Sequence, residues 1–130
     1  MAEHPTGTWI RELYAAFFAG DMETAGKGFA DDIIVHLAGR NPLSGTYNGK
    51  DQVFAMLAAE SELVSDPTTE IHDVLASDDH AVVLRTDSVS RNGRTWAGPC
   101  VDVMHVKDGK ITEYWNTSLD QYGYDDLLNS

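Results

Sequence analysis

Three turn signals at near-even spacing, Ser77-Asp78-Asp79, Asn92-Gly93 and Asp108-Gly109, divide the second half of this 130-residue chain into four segments. Asn-Gly and Asp-Gly supply the positive φ angles that tight hairpin turns need, so consecutive segments are expected to pair antiparallel. The four predicted strands cover residues 70–76, 80–90, 94–106 and 110–118. Few folds accommodate a meander of this kind unless something covers one of its faces.

The first half supplies the cover. Thr8 can cap a helix whose apolar residues Trp9, Ile10, Leu13, Phe17 and Phe18 recur at helical spacing, and Gly20 ends it. Asp21 opens a shorter helix with Met22, Ala25 and Phe29 on one face. The β-branched run Ile33, Ile34 and Val35 then predicts a strand, which the turn formers Gly39, Asn41, Pro42, Ser44 and Gly45 stop soon after His36. A third helix starts at Lys50 or Asp51, carries Val53, Phe54, Met56, Leu57, Leu63 and Val64, and is expected to close at Pro67. Helices first and a curved antiparallel sheet second give an α+β domain. Its bent sheet either encloses a cavity or is filled by core side chains.

The length suits a single domain over residues 1–130, with a flexible lead-in at residues 1–7. Residues 119–130, with Tyr122, Tyr124, Leu127 and Leu128, read as a segment folded over a surface, either a lid or a dimer contact. A formal net charge of −12 argues against nucleic acid and anionic membranes, which are held largely by clustered Lys and Arg. No apolar run approaches the roughly 18 residues of a membrane span. With no leader pattern ahead of the first helix and a lone Cys100, a cytoplasmic location is the expectation. The five histidines show no metal-binding spacing, and no phosphate-binding glycine loop is present, so neither a metal nor another cofactor is expected. Cys100, on a strand among apolar residues, reads as a packed thiol.

Two titratable residues stand out. His36 closes an apolar strand where it opens into a loop, either as a rim histidine bonded to backbone or as a functional group. Asp102 alternates with Trp96, Gly98, Cys100, Met104 and Val106, which makes that face the better candidate for the interior. A carboxylate there is either an acid whose charge is disfavoured by burial or the structural partner of a buried arginine such as Arg85.

The order of elements, with AGD at residues 19–21, FADD at 29–32, NPLSGTYNGKDQV at 41–53 and DGKI at 108–111, resembles the SnoaL-like, ketosteroid isomerase-like branch of the nuclear transport factor 2-like superfamily. The resemblance implies a cone: a curved, mixed, mostly antiparallel sheet packed on three helices from the N-terminal half, around an apolar pocket, in a homodimer. Relatives carry a carboxylate base after the first strand. Counting back from Gly39 and the turn at residues 42–45 puts His36 there, whereas counting forward from Asp31-Asp32 puts Leu37 there. Counting back from Asp108-Gly109 places Asp102 at the position of an oxyanion-stabilising acid. The tyrosine of the first helix falls on Leu13, with Tyr14 beside it. Asn116 stands where polyketide cyclases and the related epoxide hydrolase carry aspartate, and Asp120 lies a short way on.

The expectation is thus a cofactor-independent isomerase, cyclase or dehydratase acting on an apolar carbonyl-containing substrate, polyketide-, terpenoid- or steroid-like. His36 is expected as general base and Asp102 as acid, or as the carboxylate that orients His36. Tyr14, Phe17, Tyr47, Met56, Leu57, Trp96, Met104, Trp115, Asn116 and Asp120 are the expected pocket residues, although most apolar residues at this spacing are more often ordinary core. The alternatives are a non-catalytic small-molecule binding protein of the same fold and an epoxide hydrolase-like enzyme. Both versions of the His36 and Asp102 pair require the two side chains to share one face.

Overall fold

The computed structural model describes residues 3–130. The chain forms helix α1 (Pro5–Phe18), helix α2 (Met22–Lys27), strands β1 (Phe29–Leu37) and β2 (Gly45–Asn48), helix α3 (Gly49–Leu63), strands β3 (Ser65–Ala76), β4 (His80–Arg91), β5 (Arg94–Lys107) and β6 (Lys110–Ser118), and helix α4 (Gln121–Leu128). The strands make one six-stranded sheet in the order β2-β1-β6-β5-β4-β3. Every neighbouring pair is antiparallel except β1 and β6, which run parallel. This is the mixed α+β architecture the sequence implies.

The expected meander forms where the turn signals lie. Asn92 and Gly93 both take positive φ (51° and 77°), as do Asp108 and Gly109 (53° and 70°), the geometry of a two-residue hairpin turn. Three local expectations fail, each for a physical reason. Pro5, Thr6 and Gly7 belong to α1: proline suits the first helical turn, and the His4 ring Nδ1 accepts from the Thr6 amide at 3.1 Å. Met1 and Ala2 of the expected lead-in lie outside the described residues. Pro67 does not close α3 but lies inside β3, an edge strand, where the missing N–H costs no ladder bond. Residues 45–48 form a four-residue strand, β2, paired with β1, where a loop is expected. The C-terminal segment is a helix, α4, capped by Asp120, which accepts from the Gly123 amide at 3.2 Å.

Two apolar clusters lie on the inner face of the sheet. The larger packs Ile10 and Leu13 of α1 and Val53 and Met56 of α3 against Ile33, Val35, Val74, Ala81, Val83, Met104 and Ile111. The smaller joins Leu127 and Leu128 of α4 to Leu43, Val89, Trp96 and Cys100. Gly98 makes room for this second cluster, because a Cβ there would lie 2.6 Å from the Trp96 indole, which folds back over it. The outer face has a different character: Leu75, Val82, Leu84, Val101, Val103 and Trp115 point away from the helices, and Leu75 and Val103 are 52% and 36% exposed. Met104 is fully buried in the larger cluster, so Met104→Ala is expected to cost about 2–5 kcal/mol in urea unfolding.

Candidate active site on the inner face

A band of polar residues separates the two apolar clusters. On β5, Asp102 lies between Cys100 of one cluster and Met104 of the other; on β4, Arg85 and Asp87 lie between Val83 and Val89. Tyr114 and Asn116 extend the band onto β6, where Asn116 pairs with Asp102 and Tyr114 with Met104. Tyr14 enters it from α1. Alternation delivers all of these strand residues to one face, since every second side chain points inward.

Asp102 is the hub, with none of its surface exposed. Its Oδ2 accepts from the Tyr14 hydroxyl and from Arg85 Nε at 2.8 Å, while Oδ1 accepts from Arg85 Nη2 at 3.1 Å and Asn116 Nδ2 at 2.8 Å. Arg85 Nη1 donates to Asp87 Oδ2, and Asp87 Oδ1 accepts from the Thr69 hydroxyl at 2.8 Å. Four donors, two of them from one guanidinium in fork geometry, suit an ionised carboxylate. Asp102 is therefore the fixed partner of Arg85, the structural alternative given above, and its oxygens are not free to present an acid to a ligand.

Burial, and then the Asp102 charge, push the Tyr14 phenol well above its ordinary range, and Tyr114 follows for the same two reasons. Both stay neutral. Burial disfavours the Arg85 charge, but the carboxylates of Asp102 and Asp87 more than offset this and hold its proton tightly. Desolvation pushes the Cys100 thiol up to about 12, consistent with a packed thiol.

The histidine lies elsewhere. His36 pairs with Trp115 in the β1–β6 register, and Trp115 pairs with Val103, all on the outer face; Leu37, Asn116 and Asp102 share the inner face. His36 and Asp102 thus occupy opposite faces of the sheet, and the expected pair does not form. The reason is parity: one residue separates an inward from an outward side chain, so counting forward from Asp31-Asp32, which gives Leu37, finds the inner position. On the outer face His36 Nε2 contacts Glu113 Oε2 at 2.6 Å, Nδ1 contacts the Thr46 hydroxyl at 3.0 Å, and the ring stacks on Trp115.

The other expected pocket residues also divide. Tyr14 and Asn116 join the Asp102 network, and Tyr14, not Leu13, provides the helix tyrosine, because Leu13 is in the core. Met56 and Met104 are core, with Leu57 and Tyr47 packed against them, and Tyr47 donates to the Leu43 carbonyl at 2.7 Å. Phe17 is half-buried against Phe18. Trp96 belongs to the second cluster and donates to Asp120 Oδ2 at 3.0 Å, so these two residues anchor α4. Trp115 lines an outer-face groove of ≈ 360 Å³ with His36, Thr46, Val101 and Val103. A second depression, ≈ 400 Å³, lies between β2 and α3 beside Tyr47 and Met56. Neither is lined by Arg85, Asp87, Asp102, Tyr14 or Tyr114; that band reaches solvent through the Arg85 and Asp87 side chains, 10% and 19% exposed.

Sequence reasoning missed Glu60. It occupies the core-facing stripe of α3, in line with Val53, Met56 and Leu57 before it and Leu63 and Val64 after it, at spacings of three and four. A charged residue inside an apolar stripe was the available signal. Desolvation raises its carboxyl pKa and Asp87 adds to the shift, while Arg85 opposes it. Below the ordinary glutamate range the carboxyl is protonated in both folded and unfolded chains. Above its raised folded value, the ionised form carries a burial penalty. Glu60→Gln is accordingly expected to raise the urea midpoint at pH 7 to 8, with the gain vanishing near pH 4.

Comparison with known proteins agrees with this architecture. The profile of the SnoaL-like domain matches residues 10–114. An uncharacterised protein of Mycobacterium tuberculosis is 29% identical over 109 residues, covering 79% of this chain and 80% of its own. Among solved structures, Bal32a from a soil-derived mobile gene cassette superposes with a TM-score of 0.87 at 25% identity, over 93% of this chain and 94% of its own. IdmH of Streptomyces antibioticus, a proposed polyketide cyclase, superposes with a TM-score of 0.75 at 22% identity, over 92% of this chain and 95% of its own. The polar band lies within a domain of known type: the chain belongs to the SnoaL-like domain family, with a nuclear transport factor 2-like fold.

Proposed function

We propose that the chain is a small-molecule enzyme working by general acid/base chemistry, an isomerase, cyclase or dehydratase that needs no cofactor. Its substrate is a neutral, largely apolar carbonyl compound held against the inner face between α1, α3 and strands β4 to β6. The observation that carries this reading is the polar band itself. Buried hydrogen-bonding groups surrounded by apolar walls recognise one polar atom of an otherwise apolar molecule. The neutral phenols of Tyr14 and Tyr114 and the Asn116 amide form one end of the band; a carbonyl or enol oxygen takes the second Asn116 N–H, and the Tyr14 hydroxyl once it turns from Asp102, which keeps three other donors. Arg85 is already shared by two carboxylates, which disfavours an anionic substrate. The band is closely packed, so a substrate enters by displacing side chains of α1 or α3.

The catalytic roles differ from the family's best-known ones. Leu37 occupies the inner position after the first strand and has no base to offer, and His36 faces away. A second reading, hydrolysis of an epoxide by an activated water, is favoured by the arrangement of Arg85 between Asp87 and Asp102, with the Asn116 amide alongside. The same seat serves both reactions.

Titration with a panel of neutral aromatic ketones, followed by NMR, separates the site from the outer groove. Signals of Tyr14, Tyr114 and Asn116 are expected to move, and Tyr14→Phe is expected to weaken binding about tenfold, the cost of one hydrogen bond with its buried partner left short. Shifts confined to His36, Val103 and Trp115 would sink the proposal.

The bare outer face supports a homodimer. Leu75, Val82, Leu84, Val101, Val103 and Trp115 give an apolar strip on a chain of net charge −12, flanked by Asp73 and Glu113, that a second copy can cover. Sedimentation equilibrium is expected to give twice the mass of the chain, and Val103→Asp the mass of one chain.

A further inference from the structure

We infer that Glu60 is the proton-transferring residue of the inner site, acting across the band from an Asp87 whose charge is fixed. The inference rests on the general acid/base reading above and assigns the base which that reading lacks. Its geometry comes from the two apolar clusters. Met56 of α3 packs in the larger one with Val83, while Leu63 and Val64 pack in the smaller one with Val89. Arg91 Nη1 donates to the Leu63 carbonyl at 3.0 Å, fixing the end of α3 against the end of β4. Glu60 lies one helical turn before Val64, a step of about 5.4 Å. Asp87 lies two residues before Val89 on β4, a step of about 6.6 Å. The two carboxyl groups are therefore brought to the same level of the band.

Their surroundings separate their roles. Asp87 is held by the Arg85 guanidinium on one oxygen and the Thr69 hydroxyl on the other, both donors, which keep it an anion. The Glu60 carboxyl group takes part in no hydrogen bond or ion pair among the described residues, although the residue is half-buried. A carboxyl with no donor to hold its charge, beside a fixed anion, holds its proton more firmly than an ordinary glutamate and is the one of the two that can give it up and take it back. The burial-driven rise of its pKa agrees with this. Toward a carbonyl compound, the Glu60 carboxylate removes a proton from the carbon next to the carbonyl. The electron pair of that C–H bond becomes the enolate double bond, and the carbonyl π pair moves to oxygen. The glutamic acid so formed returns the proton to another carbon, or to a leaving hydroxyl.

The proton-transfer step can be tested without the natural substrate. In 5-nitrobenzisoxazole, a base removes the ring C–H proton, the released pair forms the nitrile, and the N–O bond breaks to give a coloured cyanonitrophenolate. The wild-type protein is expected to catalyse this elimination saturably, with kcat/KM rising with pH to a plateau. Glu60→Gln is expected to lose at least about 100-fold in kcat, the lower end of what a positioned base contributes, with KM little changed. Asp87→Asn removes the neighbouring anion and is expected to move the inflection of the profile to lower pH, a shift that a merely structural role would not produce. Folding is not the obstacle, since the glutamine variant is expected to be more stable at neutral pH. If Glu60→Gln keeps its rate within a few-fold while Tyr14→Phe or Asn116→Ala loses it, the assignment of Glu60 falls and the inner site stands. If the wild type shows no saturable elimination and none of the ketones binds at the inner face, both fall.

Discussion

The fold is organised around one buried arginine. Arg85 enters the interior between two apolar clusters, where an unpaired cation would cost several kcal/mol, and is accepted there because Asp102 receives two of its hydrogen bonds and Asp87 a third. Completing the Asp102 carboxylate then requires Tyr14 from the first helix and Asn116 from the last strand. Among the described residues no buried side-chain polar atom lacks a partner, so the set is closed. Polar networks of this sort are costly when half made and rigid when complete. The ion pair thereby fixes the alignment of α1, β4, β5 and β6, the elements that present the candidate site.

The sheet is legible in the sequence because its determinants are local. Period-two alternation and Asn-Gly or Asp-Gly turns specify β4, β5 and β6 within a residue or two, and the flanking Trp96, Cys100 and Met104 identify the inner face of β5. What is illegible depends on partners distant in the chain. β2 has four residues of which two are turn formers, and only the neighbouring β1 makes it a strand. Pro67 ends a helix by local rules but is tolerated in a strand that turns out to lie at the edge. His36 shows the sharpest limit. Its strand is readable, but facing in or out is a matter of one residue, and β1 changes register between Phe29 and Ile34 against β6.

The two faces of the sheet carry different properties on the same strands. Inward residues of β4 to β6 supply a hydrogen-bonded band, and outward residues supply a neutral apolar strip with the His36, Glu113 and Trp115 group beside it. Glu60 illustrates the cost of the inner arrangement. An apolar residue in its place would continue the stripe of α3 and remove a buried charge, a local conflict of the kind found where function competes with stability.

The single parallel junction in the sheet has a consequence for how the molecule assembles. β3 to β6 are joined by short turns and meet through contacts close in sequence, whereas β1 reaches β6 across most of the chain, with Leu37 beside Asn116. Closing so long a loop carries an entropy cost that local hairpins avoid, so the meander has the kinetic advantage. Arg85, Asp102 and Asn116 can therefore find one another early. Tyr14 and the inner side of β1 arrive only when the ends of the chain meet, and until then one edge of β6 and one acceptor site on Asp102 are left to water.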